Sequence, residues 1–151
     1  MSVSDLLAEF GRKAGLGSLG LDGQGVCRLS FDGSLIVDLE FDDGAGVLHL
    51  YGTVGPVPAG DREAVYQRLL SANLFGRETG GATLALDGGR DEIVLCRALV
   101  PDHLDPLAFE AALAAFVDAL EGQREQLKTA PVGGPSHEPP ARFGMGPMMR
   151  A

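Results

Sequence analysis

The side chains that most often bind metals or act as nucleophiles are few in this sequence and widely separated. The three histidines are His49, His103 and His137, and no two of them have the spacing of a metal-binding pair. The two cysteines, Cys27 and Cys96, lie in apolar runs and form no C-x-x-C motif. We therefore expect no metal site and read both cysteines as small buried apolar residues, with a disulfide or redox pair as the alternative.

Motifs that bind phosphate or activate a serine are also missing from the sequence. There is no G-x-S-x-G elbow and no G-x-x-x-x-G-K-[ST] loop. Gly15, Gly17 and Gly20 match the letters of a dinucleotide fingerprint, but they follow a predicted helix and precede a predicted strand. Because dinucleotide binding requires the opposite order of elements, we read this stretch as a connector and expect no cofactor.

Carboxylates are plentiful and offer the one plausible acid–base chemistry. Asp38 and Glu40 share one face of a predicted strand, and Asp42 and Asp43 follow in the next turn. A glycosidase-like pair is conceivable, but nothing in the sequence marks either residue as buried. We prefer a solvated acidic rim, which would also suit the basic residues of a bound protein. The sequence thus predicts no catalytic residue and a protein that is not an enzyme.

Composition points to one acidic globular domain. The chain has 151 residues, 21 Asp and Glu against 12 Lys and Arg, and a pI near 4.6. Nucleic acids and anionic membranes both attract basic surfaces, so we expect neither as a partner. The start at residues 1–5 has no basic segment before an apolar core, and no apolar run approaches a membrane span. We expect a cytoplasmic protein.

The hydrophobic pattern alternates between helical and strand-like periods along the chain. The order α-β-β-β-α-β-β-α predicts an α+β fold, an antiparallel sheet with helices on one face. The predicted elements are a helix from Val3 to a stop at Gly15, strands at 26–31, 35–41 and 47–54, a helix from Asp61 to a stop at Gly76, strands at 82–86 and 92–100, and a helix from Asp105 to Leu127.

The last part of the chain differs in composition from the rest. From Thr129 onward Pro, Gly and Met dominate and no periodicity remains. Such a segment cannot bury enough apolar surface to offset the entropy of ordering it. We predict a folded domain at 1–128 and a disordered tail at 129–151.

The strand at 92–100 is apolar on both of its faces, which predicts that something covers each side. The helix at 61–75 also has a broad apolar side. Together they exceed what a small domain readily hides, so we predict a homodimer. Leu69 and Leu70 could exchange core and interface roles. The candidate interface residues are Val65, Leu69, Leu70, Val94 and Cys96.

One passage is more distinctive than any other. Leu69-Leu70-x-x-Asn73-Leu74-Phe75-Gly76 ends a predicted helix, and Thr79-Gly80-Gly81-Ala82-Thr83-Leu84 leads through a glycine-rich turn into a strand. With Leu6-Leu7-x-x-Phe10 in the first helix, the chain resembles the class I chaperones of type III secretion, the Tir-chaperone family, over residues 3–127. The last helix of that family often carries a Trp, whereas this chain has none.

The resemblance implies a homodimer that binds the N-terminal segment of a secreted effector and keeps it secretion-competent without ATP. The effector would place apolar side chains in surface grooves and add a strand to the sheet. We expect the groove on the first helix and first strands, with Leu6, Phe10, Val26 and Ile36 as contacts. The alternative is that Leu6 and Phe10 only pack the helix on the sheet.

Two other functions stay open from the sequence. One is a regulatory module of the same fold that sequesters a regulator protein. The other, more distant, is a small hydrolase that uses acidic residues.

Overall fold

The computed structural model describes residues 1–129, and its elements follow the predicted order. Of the predicted tail at 129–151, Thr129 is the last residue of a helix, and residues 130–151 lie outside the described residues. Two short 3₁₀ helices, Leu74–Gly76 and Pro101–His103, flank the second hairpin. The helices and strands are α1 (Val3–Ala14), β1 (Val26–Phe31), β2 (Leu35–Asp42), β3 (Val47–Pro56), α2 (Arg62–Ala72), β4 (Thr83–Asp87), β5 (Glu92–Leu99) and α3 (Pro106–Thr129).

The five strands form one antiparallel sheet in the order β1-β2-β3-β5-β4, so the α+β prediction is confirmed. The strands β1, β2 and β3 form a meander, and the β4–β5 hairpin joins it through β5. β1 and β4 are therefore the two edge strands. The strands alternate in burial, which separates an inner face that packs against α1 and α3 from an open face on the other side.

Local capping explains where the helices begin. The Ser2 hydroxyl accepts a bond from the Asp5 N–H, and the Asp5 carboxylate accepts one from the Ser2 N–H in return. The Asp61 carboxylate caps α2 by accepting a bond from the Ala64 N–H, at 3.1 Å. Gly15, at φ 69°, ends α1 in the left-handed conformation.

The core lies between the inner face and the two helices α1 and α3. Phe109, Phe116 and Leu120 of α3 are fully buried there. The helix comes close to β3 because two strand positions lack a side chain: a Cβ on Gly52 would lie 2.5 Å from Leu120 Cδ2, and one on Gly55 would lie 2.6 Å from Leu127 Cδ2. These glycines make room for α3.

Leu6 belongs to this core. Its side chain is 0% exposed, so the prediction that it lies in an accessible groove is wrong. Leu6 and Leu7 are both buried in the core cluster, which favours the alternative that Leu6 serves only to pack the helix. Phe10 is only half-buried and meets the Phe109 ring edge-to-face, with centroids 6.0 Å apart.

α2 ends at Ala72, before the predicted stop at Gly76. The physical reason is a contact with the sheet: the Asn73 amide Nδ2 donates to the Leu84 carbonyl at 3.0 Å, and the Leu84 N–H donates to Asn73 Oδ1 at 2.8 Å. The chain then turns through Phe75 and Gly76, both with positive φ. A side chain thus takes the place of a neighbouring strand at the β4 edge.

None of the helices within residues 1–129 is both long enough and apolar enough to cross a bilayer.

Candidate partner-binding surfaces

The outward side of α2 and the loop that follows it expose three large apolar side chains, those of Leu70, Leu74 and Phe75. Leu70 is 72% exposed, whereas its neighbour Leu69 is 4% exposed and packs in the core. The two residues therefore take opposite roles, with Leu70 outside. We call this surface the α2 face. It contains a shallow cleft lined by Glu63, Tyr66, Gln67, Leu70, Ser71 and Leu74.

Two anchors hold α2 in this orientation. At its start, the Arg62 guanidinium forms two bonds of 2.8 and 2.7 Å with the Asp91 carboxylate in the β4–β5 turn. This bidentate pair lowers the pKa of Asp91. At its end, Asn73 bonds the β4 edge. With both ends tied to the second hairpin, the apolar side of α2 is presented outward.

Loop residues extend the α2 face beyond the helix. Leu74 is exposed, and Phe75 is 82% exposed. Neither residue was among the predicted interface residues. A signal was available, because Leu74 follows Tyr66 and Leu70 at a four-residue spacing and therefore continues their row on the helix surface.

The open face of the sheet forms a second surface, a groove of about 620 Å³. Ile36 and Val94 line it on either side of Thr53, and Arg28, Asp38 and Tyr51 lie nearby. Val26 and Cys96 are half-buried and point to the same side of the sheet, as the strand register requires. Residues predicted for effector binding and residues predicted for the dimer therefore share this face.

Polar side chains on the open face are paired with one another. The Arg28 guanidinium donates two bonds of 2.7 and 2.8 Å to the Asp38 carboxylate. Tyr51 donates its hydroxyl to the Glu40 carboxylate at 3.1 Å. The pKa of the Tyr51 phenol is raised, mainly because the group is partly buried and to a lesser extent because of this bond to Glu40.

The interpretation of the carboxylates as a solvated rim is wrong for Asp38. This residue is only 8% exposed, because the Arg28 side chain from the neighbouring strand covers and neutralises it. Glu40 is exposed. Since Asp38 is held in an ion pair and Glu40 in a hydrogen bond to a phenol, the two do not form the acid–base pair of a glycosidase.

The two cysteines lie on opposite faces of the sheet and are both free thiols. Cys27 is buried on the inner face, and Cys96 is half-buried on the open face. Burial raises the pKa of both thiols. Within residues 1–129, no three His, Cys, Asp or Glu side chains converge where they could hold a metal ion.

The two edges of the sheet differ in the groups they expose. The β4 edge is occupied at Leu84 by Asn73. At the β1 edge, Asp22 bonds both the N–H and the C=O of Val26, while Gly25 pairs inward with Phe41. The alternation of an antiparallel ladder then points the backbone groups of Arg28 and Ser30 away from β2, toward an edge that no other described strand covers.

Comparison with known proteins agrees with this architecture. The family model of the Tir chaperone protein (CesT) family matches residues 5–124. The Tir chaperone of Citrobacter freundii is 28% identical over 121 residues, which are 80% of this chain and 76% of that protein.

Solved structures match as well. A chain in the crystal structure of the ExsC–ExsE complex is 29% identical, with a TM-score of 0.72, over 85% of this chain and 96% of that one. The Yersinia pestis type III secretion chaperone SycH, solved with a stable fragment of YscM2, shares the fold at 23% identity, with a TM-score of 0.63, over 80% of this chain and 98% of that one. The resemblance read from Leu69–Leu84 is confirmed: the chain belongs to the Tir chaperone protein (CesT) family, a family of type III secretion chaperones.

Proposed function

We propose that this chain works as a homodimeric, cytoplasmic chaperone that binds the N-terminal segment of a secreted effector protein and keeps it extended. Its family is a chaperone family and not an enzyme family. The observation that carries the proposal is the presence of two uncovered surfaces of different character, the apolar α2 face and the groove on the open face next to the free β1 edge. Binding by such surfaces uses neither ATP nor catalysis.

The α2 face is the proposed site of dimerisation. Leu70 is its most exposed leucine, and isolated apolar patches of this kind usually mark an interface. Leu69 leaves the set because it is a core residue, and half-buried Val65 packs against that core. Val94 and Cys96 remain predicted interface residues. They lie on β5, the neighbour of the edge strand β4, and β4 is the strand to which the end of α2 is bonded.

The effector is proposed to bind across β1 and β2. Val26 and Ile36 offer apolar contacts on the open face, and Ile36 is 45% exposed. The outward backbone groups of Arg28 and Ser30 can pair with an added strand, which supplies main-chain hydrogen bonds without requiring one effector sequence. Leu6 leaves the set because it is buried. Phe10 is half-buried and stays a proposed contact, but it lies with α1 on the inner side of the sheet, so an effector that meets both Phe10 and Ile36 must pass around an edge of the sheet.

The alternative of a regulatory module uses the same surfaces and differs only in its partner, a regulator protein in place of an effector. The solved ExsC–ExsE and SycH–YscM2 structures are both complexes with a second protein. The hydrolase alternative loses its basis, because the Asp38 carboxylate is neutralised by Arg28.

The first experiment identifies the partner by purifying the tagged chain from its native host and applying mass spectrometry. Ile36→Asp and Val26→Asp are then compared with Ala111→Asp, which adds the same charge on an exposed position of α3. We expect each of these two open-face variants to weaken pull-down of the partner about tenfold, since burying one such side chain contributes about 1.5–3 kcal/mol. The melting temperatures should stay the same.

Three outcomes would change the proposal. If both open-face variants bind the partner normally, the open face is not the effector site. If they fail to fold, Val26 and Ile36 are needed for the structure itself. A partner that is a retained regulator and not a secreted protein would favour the alternative function.

A further inference from the structure

The loop after α2 holds an exposed aromatic ring on a strained backbone. Phe75 has φ 56°, in the left-handed region that residues with a side chain rarely adopt. The loop is well defined by its own hydrogen bonds: the Gly76 N–H donates to the Asn73 carbonyl at 3.0 Å, and the Gly81 N–H donates to the Gly76 carbonyl at 3.2 Å. Strain of this kind persists where the surrounding structure imposes it, often at binding sites.

Arg77 accompanies this ring. Its guanidinium carbon lies 5.5 Å from the centroid of Phe75, within the range of a cation–π contact. No ion pair of Arg77 exists within residues 1–129. The same is true, over the same residues, of Glu63 at the rim of the cleft on the α2 face.

The Phe75 ring and Glu63 lie at opposite ends of one surface, with the cleft between them. Glu63 is in the first turn of α2, while Leu74 lines the far end of the cleft next to Phe75. With 82% of its surface exposed, the Phe75 side chain does not fill the cleft of its own chain. A surface that carries both a projecting ring and an apolar cleft can pair with a second copy of itself about a two-fold axis, with each ring in the cleft of the other copy.

We propose that two copies of this chain exchange Phe75: the ring of each copy enters the cleft on the α2 face of the other. The two α2 helices then run antiparallel, which places the end of one helix beside the start of the other. Arg77 of each copy meets Glu63 of its partner, so that two equivalent ion pairs close the interface. This inference rests on the proposed homodimer and names the contacts that hold it together.

A second copy suits this surface in both shape and charge. Among the described residues, the lining of the cleft is mainly apolar and includes one acidic residue, Glu63. The basic residue Arg77 lies beside the projecting Phe75 ring. Aromatic side chains such as that of Phe75 are enriched at protein–protein interfaces.

Charge reversal tests the ion pair directly. The dimer dissociation constant is measured by sedimentation equilibrium for Glu63→Arg, for Arg77→Glu and for the double variant. Each single variant places like charges together and should weaken the dimer about tenfold or more, while the double variant should restore affinity to within about threefold of the unchanged chain. Glu121→Arg and Arg12→Glu, made at exposed positions of α3 and α1, are the matched controls. They should leave the dimer dissociation constant unchanged.

Phe75→Gly tests the ring and cannot fail through strain. Glycine adopts φ 56° without steric strain, so the variant should fold like the unchanged chain while the dimer weakens about a hundredfold. If all of these variants dimerise like the unchanged chain, the exchange of Phe75 is overturned and the homodimer stands. A chain that is monomeric at every concentration would overturn the homodimer itself.

Discussion

The two faces of the sheet show how one set of strands serves both folding and binding. On the inner face, β3 carries Gly52 against Leu120, and the fit is so close that a single added carbon would collide. On the open face, the adjacent residue Thr53 lies in a groove of about 620 Å³. Neighbouring residues of one strand therefore differ in what a substitution disturbs: the packing of α3 on one side and the access of a partner on the other.

The largest effect that tests this comparison is expected from Gly52→Val. Its Cβ would lie 2.5 Å from Leu120 Cδ2 and 3.0 Å from the Ile36 carbonyl oxygen, so the buried Leu120 side chain, or α3 with it, must shift away from β3. We expect the free energy of unfolding to fall by about 3 kcal/mol, measured by urea denaturation. Thr53→Val, one residue away on the open face, should change it by less than about 0.5 kcal/mol. Equal losses in the two variants would contradict the difference between the faces.

A smaller effect is expected at the β4 edge from Asn73→Leu. The substitution keeps the size of the side chain and removes both bonds to Leu84, whose backbone groups are partly shielded from water. The free energy of unfolding should fall by about 2 kcal/mol, as seen when buried polar groups lose their partners. Because the edge also becomes available for pairing, light scattering should detect larger assemblies. Ala114→Leu, at an exposed position of α3 outside both proposed surfaces, is a control for the added apolar surface.

The smallest expected effect is a difference in the rates at which the two thiols are alkylated. It compares the two faces of the sheet without a mutation. Burial raises the pKa of Cys27 and of Cys96, so both thiols carry little thiolate at pH 7.5 and less than a free cysteine would, taking about 8.5 as its pKa. Alkylation by iodoacetamide should be slow at that pH and faster as the pH rises toward 9.5. In protein diluted until it is monomeric, Cys96 should react before Cys27, because it lies half-buried on the open face. Mass spectrometry of the modified peptides measures the order, and equal rates at the two sites would count against it.

Much of this fold follows from local signals in the sequence. The capping pair Ser2 and Asp5, the cap at Asp61 and the alternation along β1 to β3 each depend on residues a few positions apart. The periods of 3.6 and 2 residues are likewise local, so the order of helices and strands was predictable. The family was predictable too, because the passage around Asn73 is distinctive in itself.

What only the tertiary structure decided are the roles that depend on a distant neighbour. Leu69 and Leu70 differ by one step of about 100° around α2, and the position of the sheet decides which of them is buried. The burial of Asp38 depends on Arg28 from another strand, and the end of α2 depends on Leu84, eleven residues beyond Asn73. These contacts join residues that a periodic pattern does not relate, since the pattern specifies which residues share a side of an element but not what that side meets.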